Sequence, residues 1–305
     1  MSLSGTQFLL KSGRYEAAIA SVGATLRQLT YKDRDLVVPF AEDQVRPSYR
    51  GVSLAPWPNR IVDGRYEWQG QEYQLPLTEP ERSHALHGLV SWADFTATNV
   101  TAESVTLTAT IPAQLGYPWW VRVDVEYWLD GLGLHQTITG TNLSDTPAPW
   151  GTGPHPYLVG GEGTVDDWYL RLPASQVMMM EGERLMPGNV IEVDDAPDHF
   201  DFRTRRPVEG ISLDHPFTGL DFVNALCIAT VTDSSGRGVS ISWDHTCPWA
   251  QVYTGDLPVP GPAHRCGLAI EPMTCPPNAF NSGTDLRVLE PGVPFSAGWT
   301  IGATD

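Results

Sequence analysis

Four short segments gather polar side chains among prolines and glycines. They are Pro56-Trp57-Pro58-Asn59-Arg60, His84-Ala85-Leu86-His87-Gly88, Gly153-Pro154-His155-Pro156-Tyr157 and Ile270-Glu271-Pro272. At its ordinary pKa of about 6.5 a histidine can hold or yield a proton at neutral pH, and a glutamate at about 4.3 is ionised there. Imidazole and carboxylate together are the raw material of general acid–base chemistry. Glu271 also closes the apolar run Leu268-Ala269-Ile270, which places a charge at the rim of a sheet, where clefts form. Singly, each residue has a plainer reading. A histidine in a proline-rich loop is commonly a hydrogen-bonded structural residue, a glutamate at a strand end is commonly solvated, and Asn59 could cap a turn. Three loop histidines raise the question of zinc, but no HExxH or His-x-His spacing is present, so neither metal nor cofactor is expected.

The elements that must position these segments read as strands. From Val121 to Tyr127 apolar and polar residues alternate strictly, Asp130-Gly131 supplies a turn, and Leu134 to Thr141 reads as the returning strand. Val105, Leu107, Ala109 and Ile111 mark another strand. Tyr66 and Trp68 are expected to pair with Tyr73 and Leu75 across a turn near Gly70, and Ile228–Thr232 with Val239–Trp243 across 233–238. Only Ala196–Phe202 reads as a short helical turn. With 29 glycines and 26 prolines the 305-residue chain is heavily punctuated, as a protein of many short strands requires. No low-complexity linker divides it, so the expectation is all-β, a large antiparallel β-sandwich forming a single domain over residues 1–305.

Charge and composition exclude several classes. The formal net charge of −17 leaves no basic footprint for nucleic acid. No window approaches the roughly 18 apolar residues of a membrane span, and no secretory signal is recognised. Cys227, Cys247, Cys266 and Cys275 match no CxxC pattern and read as free thiols, which with the rest points to a cytoplasmic protein. Trp57 and Trp243 read as core packing, and His84 as a solvated surface residue.

Taken together and in order, the motifs resemble the aldose 1-epimerase, or galactose mutarotase, family. Asn59-Arg60-Ile61, Leu86-His87-Gly88, Asn142 with His155 and Tyr157, Leu213-Asp214-His215-Pro216-Phe217, Gln251-Val252-Tyr253-Thr254-Gly255, and Glu271 followed by Pro277-Asn278-Ala279-Phe280-Asn281 match the family's motifs across nearly the whole chain. Val22-Gly23-Ala24-Thr25-Leu26 resembles the family's first strand. Leu89 and Asn278 depart from the common pattern, and Trp57-Pro58 resembles a bacterial subgroup; these changes bear on which sugar is used.

The resemblance implies a mutarotase-like supersandwich that interconverts the α and β anomers of a free aldohexose by ring opening and reclosure. It implies Glu271 as base, His155 as acid and His87 as an assisting group near the ring oxygen. Asn59, Arg60, Asp214 and Gln251 would bind sugar hydroxyls. The partner implied is a small sugar, and the protein is expected as a monomer or homodimer. Three alternatives stand beside it. A phosphorylated or sulfonated hexose would want arginines, and Arg50, Arg60, Arg82 and Arg265 lie near the motifs. A non-catalytic sugar-binding module is argued against by intact His155 and Glu271. A glycoside hydrolase would need Asp214 as a second carboxylate.

Overall fold

The computed structural model describes residues 2–257 and 261–305. Its largest sheet has nine antiparallel strands in the order Thr96–Val100, Ser104–Ile111, Val121–Leu129, Leu134–Asn142, Pro294–Thr304, Gly238–Trp243, Cys227–Thr232, Tyr169–Arg171 and Arg206–Pro207. A six-stranded sheet runs Tyr157–Leu158, Leu268–Met273, Trp249–Tyr253, Asp214–Leu220, Ala174–Glu181 and Met186–Glu192. One hydrophobic cluster takes Val121, Val123, Val125 and Tyr127 from the first and Val177, Phe217, Val252 and Ile270 from the second. The all-β sandwich is therefore present: two sheets each commit one apolar face to a shared interior, the arrangement period-2 patterning demands.

The expected hairpins form. Leu129 lies opposite Leu134, and the Asp130 carboxylate accepts the Leu132 N–H at 2.8 Å in the turn. Val231 lies opposite Val239, and Asp233 Oδ1 accepts the N–H groups of Ser235 and Arg237 at 2.8 and 3.1 Å. In the small hairpin Tyr66 faces Tyr73 as expected, but Trp68 faces Gln71 and Leu75 lies beyond the strand, its N–H bonded to the Gly64 carbonyl at 2.7 Å. Gln69 and Gly70 both have positive φ, giving a tight two-residue turn that brings Trp68 and Gln71 together and leaves Leu75 outside the ladder.

Pro197–Phe200 is helical within the expected turn, and a second four-residue helix, Ala279–Ser282, went unforeseen because it follows Pro276-Pro277 in a run without helical periodicity. Among the described residues no helix is long and apolar enough to cross a membrane. Trp57 and Trp243 are buried with their indole N–H groups on the carbonyls of Ala85 and Cys247, as core residues. All four cysteines are free thiols.

Candidate active site

The site is built on one face of the six-stranded sheet. Glu271 lies directly opposite Gln251, Asp214 opposite Tyr253, and Tyr157 opposite Ala269. Because successive side chains alternate, this register brings Asp214, Gln251, Tyr253, Glu271 and Tyr157 onto a common face. Val252, Ile270 and Phe217, one residue out of phase, turn into the core.

Loops supply the opposite wall. Arg60 opens the strand Arg60–Val62, which pairs with His84–Leu86, so Asn59 and His87 sit side by side at one end of this short antiparallel ladder. The His87 N–H donates to the Asn59 carbonyl at 2.9 Å. Asn59 and His87 have φ of 53° and 62°, a left-handed backbone that costs a non-glycine residue energy and is commonly retained at functional positions. Gly88 follows at φ 76°, where an added Cβ would meet the Ala55 carbonyl oxygen at 2.1 Å, so only glycine lets the chain turn here. His155 is fixed between Pro154 and Pro156; its N–H donates to the Val52 carbonyl at 3.1 Å and its carbonyl accepts the Gly51 N–H at 2.8 Å. Its ring lies over Tyr157 with centroids 5.2 Å apart and meets His87 edge-on at 5.0 Å.

These walls enclose a cavity of about 460 Å³ lined by all seven sequence-predicted residues: Asn59, Arg60, His87, His155, Asp214, Gln251 and Glu271. The central contact is His155 Nε2 to Glu271 Oε1 at 3.4 Å, with both side chains almost fully buried. Arg60 forks onto Glu79 at 2.7 and 3.0 Å and lies 3.7 Å from Asp214, whose other oxygen accepts Gln251 Nε2 at 2.6 Å. Four buried atoms of lining residues have no hydrogen-bond partner among the described residues: His87 Nδ1, His155 Nδ1, Gln251 Oε1 and Glu271 Oε2. Unpaired buried polar atoms are costly and uncommon, and their concentration around one cavity suits a polar ligand that would pair them.

Burial favours the neutral form of both groups. Desolvation, then the neighbouring Asp214, raise the Glu271 carboxyl well above the usual carboxylate range, against the pull of Arg60. Desolvation pushes the His155 imidazole down to about 3, opposed by its own backbone and reinforced by Arg46 and Arg60. The physical cause is shared: neither charge is hydrated, so a protonated carboxyl beside a neutral imidazole is favoured over an ion pair. Burial, with His155 and Arg60 adding, likewise lowers His87 well below its usual value.

Several side chains fall elsewhere than expected. His84 is fully buried rather than solvated; its Nδ1 accepts the Asp63 N–H at 3.4 Å and its Nε2 lies 2.8 Å from the Arg184 carbonyl, which ties together segments distant in sequence. Of the four arginines, Arg60 and Arg82 meet at Glu79 in the cavity. Arg265 is held apart by Asp166 and Asp256 at 3.0 and 2.9 Å, and Arg50 donates to Cys266 Sγ at 3.2 Å. Glu79 and Tyr49 line the cavity without a sequence signal: Thr78-Glu79-Pro80 reads as a polar turn and Tyr49 as one aromatic among many. Tyr157 and Tyr253 were recoverable from period 2, since each lies two residues from a candidate. Among the described residues no group of three or more His, Cys, Asp or Glu is arranged to hold a metal ion.

A mutarotase-like β-supersandwich with a carboxyl–imidazole pair in a polar cavity is the class that fold and site define. Comparison with known proteins makes it specific. The family model described as Aldose 1-epimerase matches residues 6–301. The chain is 40% identical over 295 residues to an Escherichia coli K12 protein described as uncharacterized protein YihR, covering 96% of this chain and 92% of that one. It is 29% identical to the galactose mutarotase of Mus musculus, covering 95% and 91%. The crystal structure of the GalM/aldose epimerase homologue from C. elegans has the same fold, with a TM-score of 0.84 at 21% identity over 98% of this chain and 99% of that one. The protein belongs to the aldose 1-epimerase family, a family of isomerases.

Proposed function

We propose that this protein is a mutarotase that interconverts the anomers of a free aldohexose. The observation that carries the reading is the buried Glu271–His155 contact of 3.4 Å in a polar cavity of sugar-holding size. Ring opening needs the C1 hydroxyl proton removed while the ring oxygen O5 gains one. Glu271 as carboxylate takes the O1 proton, the C1=O bond forms as the C1–O5 bond breaks, and imidazolium His155 protonates O5. Rotation about C1–C2 presents the other face of the aldehyde, and reclosure returns both protons along the same paths. Each positioned transfer is worth roughly 10²–10⁴-fold.

Protonation follows from burial. The opened aldehyde stands beside protonated Glu271 and neutral His155, the arrangement desolvation favours. The ring-opening arrangement has the same proton count and differs by one proton passed across the 3.4 Å contact. The pair therefore titrates as a unit holding one proton over its working range. His87 assists near O5 as a neutral donor or acceptor, and Asn59, Arg60, Asp214 and Gln251 bind hydroxyls. Paired donors and acceptors suit vicinal diols, because a missing hydroxyl leaves a buried group unpaired.

A second reading, an anionic hexose bearing phosphate or sulfonate, is favoured by Arg82. This half-buried guanidinium lines the cavity and donates Nη1 to Glu79 and Nε to the Glu183 carbonyl, while among the described residues no hydrogen bond is made by Nη2. Polarimetry of fresh α-anomers of glucose, galactose, mannose, a 6-phosphate and a 6-sulfonate tests both. Catalysed mutarotation of a neutral hexose supports the first reading. A rate on an anionic hexose far above every neutral one replaces it with the second, and no catalysis on any of them refutes both.

A further inference from the structure

Arg60 stands between two carboxylates and is shared unequally. Its Nε and Nη2 donate to both oxygens of Glu79 at 2.7 and 3.0 Å, whereas Asp214 Oδ2 is 3.7 Å from Nη2. The first contact is a closed, buried fork; the second is too long for a hydrogen bond. Arg82 Nη1 adds a third donor to Glu79 at 2.8 Å. Burial raises the Glu79 pKa, but the two arginines outweigh it and hold the carboxyl below its usual range, so the charge is kept. The turn that delivers Glu79 is clamped: Glu79 and His84 exchange backbone hydrogen bonds at 3.0 and 3.2 Å, and Arg82 Nε donates to the carbonyl of distant Glu183 at 3.1 Å.

The consequence falls on Asp214. One of its oxygens accepts from Gln251, while the other receives no hydrogen bond among the described residues. If Glu79 lost its charge, Asp214 would be the carboxylate within easiest reach of Arg60. A guanidinium fork closing there would occupy the oxygens a sugar hydroxyl needs.

We propose that Glu79 is a positioning residue: by holding Arg60 in its own fork, it keeps Asp214 open to accept hydrogen bonds from the substrate. This rests on the mutarotase reading. A Glu79 that merely tied the turn to the strand would, when changed, lower stability and kcat without singling out KM.

The test is kinetic, on whichever of glucose, galactose and mannose the wild type turns over fastest. In Glu79→Gln, KM should rise about tenfold or more while kcat stays within about threefold. In an Arg60→Gln background the same change should move KM by less than about threefold, since no guanidinium is left to fall onto Asp214. An unchanged KM, or a kcat that falls as steeply as KM rises, overturns the inference. If Glu79→Gln does not fold, Glu79→Asp is read instead. Its shorter carboxylate keeps the charge but cannot span both arms, so KM should rise with kcat retained, and an unchanged KM overturns the inference there. A wild type that catalyses no mutarotation refutes the parent reading, and this inference with it. A working wild type with an unmoved variant KM refutes only the role of Glu79.

Discussion

In the nine-stranded sheet, Val121–Leu129 alternates between Val121, Val123, Val125, Tyr127 and Leu129, none more than 3% exposed, and Arg122, Asp124 and Glu126, which face outward. In the six-stranded sheet, Leu268–Met273 is buried at every position although it contains Glu271. The first strand satisfies its polar residues with water and its apolar ones with core. The second has no solvated face, so its carboxyl must be met from a cavity. An ionisable residue in a doubly buried strand therefore marks where a ligand would complete the structure, and the two strands should respond to mutation in opposite ways.

The largest expected effect separates them. Glu271→Gln keeps the shape and removes the proposed base, so kcat should fall by about 10²–10⁴-fold. Its thermal midpoint should stay within a few degrees of wild type. His155→Asn should cost a comparable factor, and the double variant little more than either, because neither proton transfer is useful alone. Polarimetry with a parallel melting curve checks this; near-native kcat in folded Glu271→Gln would break the comparison and make Asp214 the next candidate base.

Leu107 is the converse. It is fully buried in the nine-stranded sheet, so Leu107→Ala should destabilise by about 2–5 kcal/mol through lost burial and a cavity. Kinetic constants per folded molecule should be unchanged at a temperature where it stays folded. Denaturant titration measures the first and active-site-normalised rates the second.

Asp214→Asn, on the pocket face but outside the proton path, should act mainly through KM, by about tenfold, with kcat changed less. A kcat loss matching that of Glu271→Gln would place Asp214 in the chemistry itself.

The smallest effect is a shift along the pH axis. In the proposed mechanism the pair works while it holds one proton, so activity should fall on the acid side only as His155, pushed down to about 3, becomes protonated beside protonated Glu271. It should fall on the alkaline side as Glu271 loses its proton, at a pH raised by burial and by Asp214. Asp214→Asn removes that like charge, lowers the Glu271 pKa and should move the alkaline limb to lower pH. A limb that stays put, or an acid limb near the ordinary histidine value, would show that solvent reaches the pair.

How much was legible in advance varies by residue for physical reasons. Val121–Tyr127 announced its strand because period-2 alternation is written in neighbouring residues. Asn59, His87, His155, Asp214, Gln251 and Glu271 stood out through ordered motifs, and the cavity contains them all. His84 differs from its solvated reading because its burial depends on a segment 100 residues away, whose carbonyl it meets. Glu79 was invisible because its importance lies in Arg60, 19 positions earlier.

By itself, the sequence determined the all-β class and most strands with their core faces, since local alternation writes them, and its ordered motifs singled out the residues proposed as acid–base pair and sugar-binding set. Only the tertiary structure decided their distances and charge states. The 3.4 Å contact of His155 with Glu271 joins elements more than a hundred residues apart, and the displacement of both pKa values comes from the exclusion of water by everything packed around them. Desolvation belongs to an enclosure, and an enclosure exists only once the chain has closed around it.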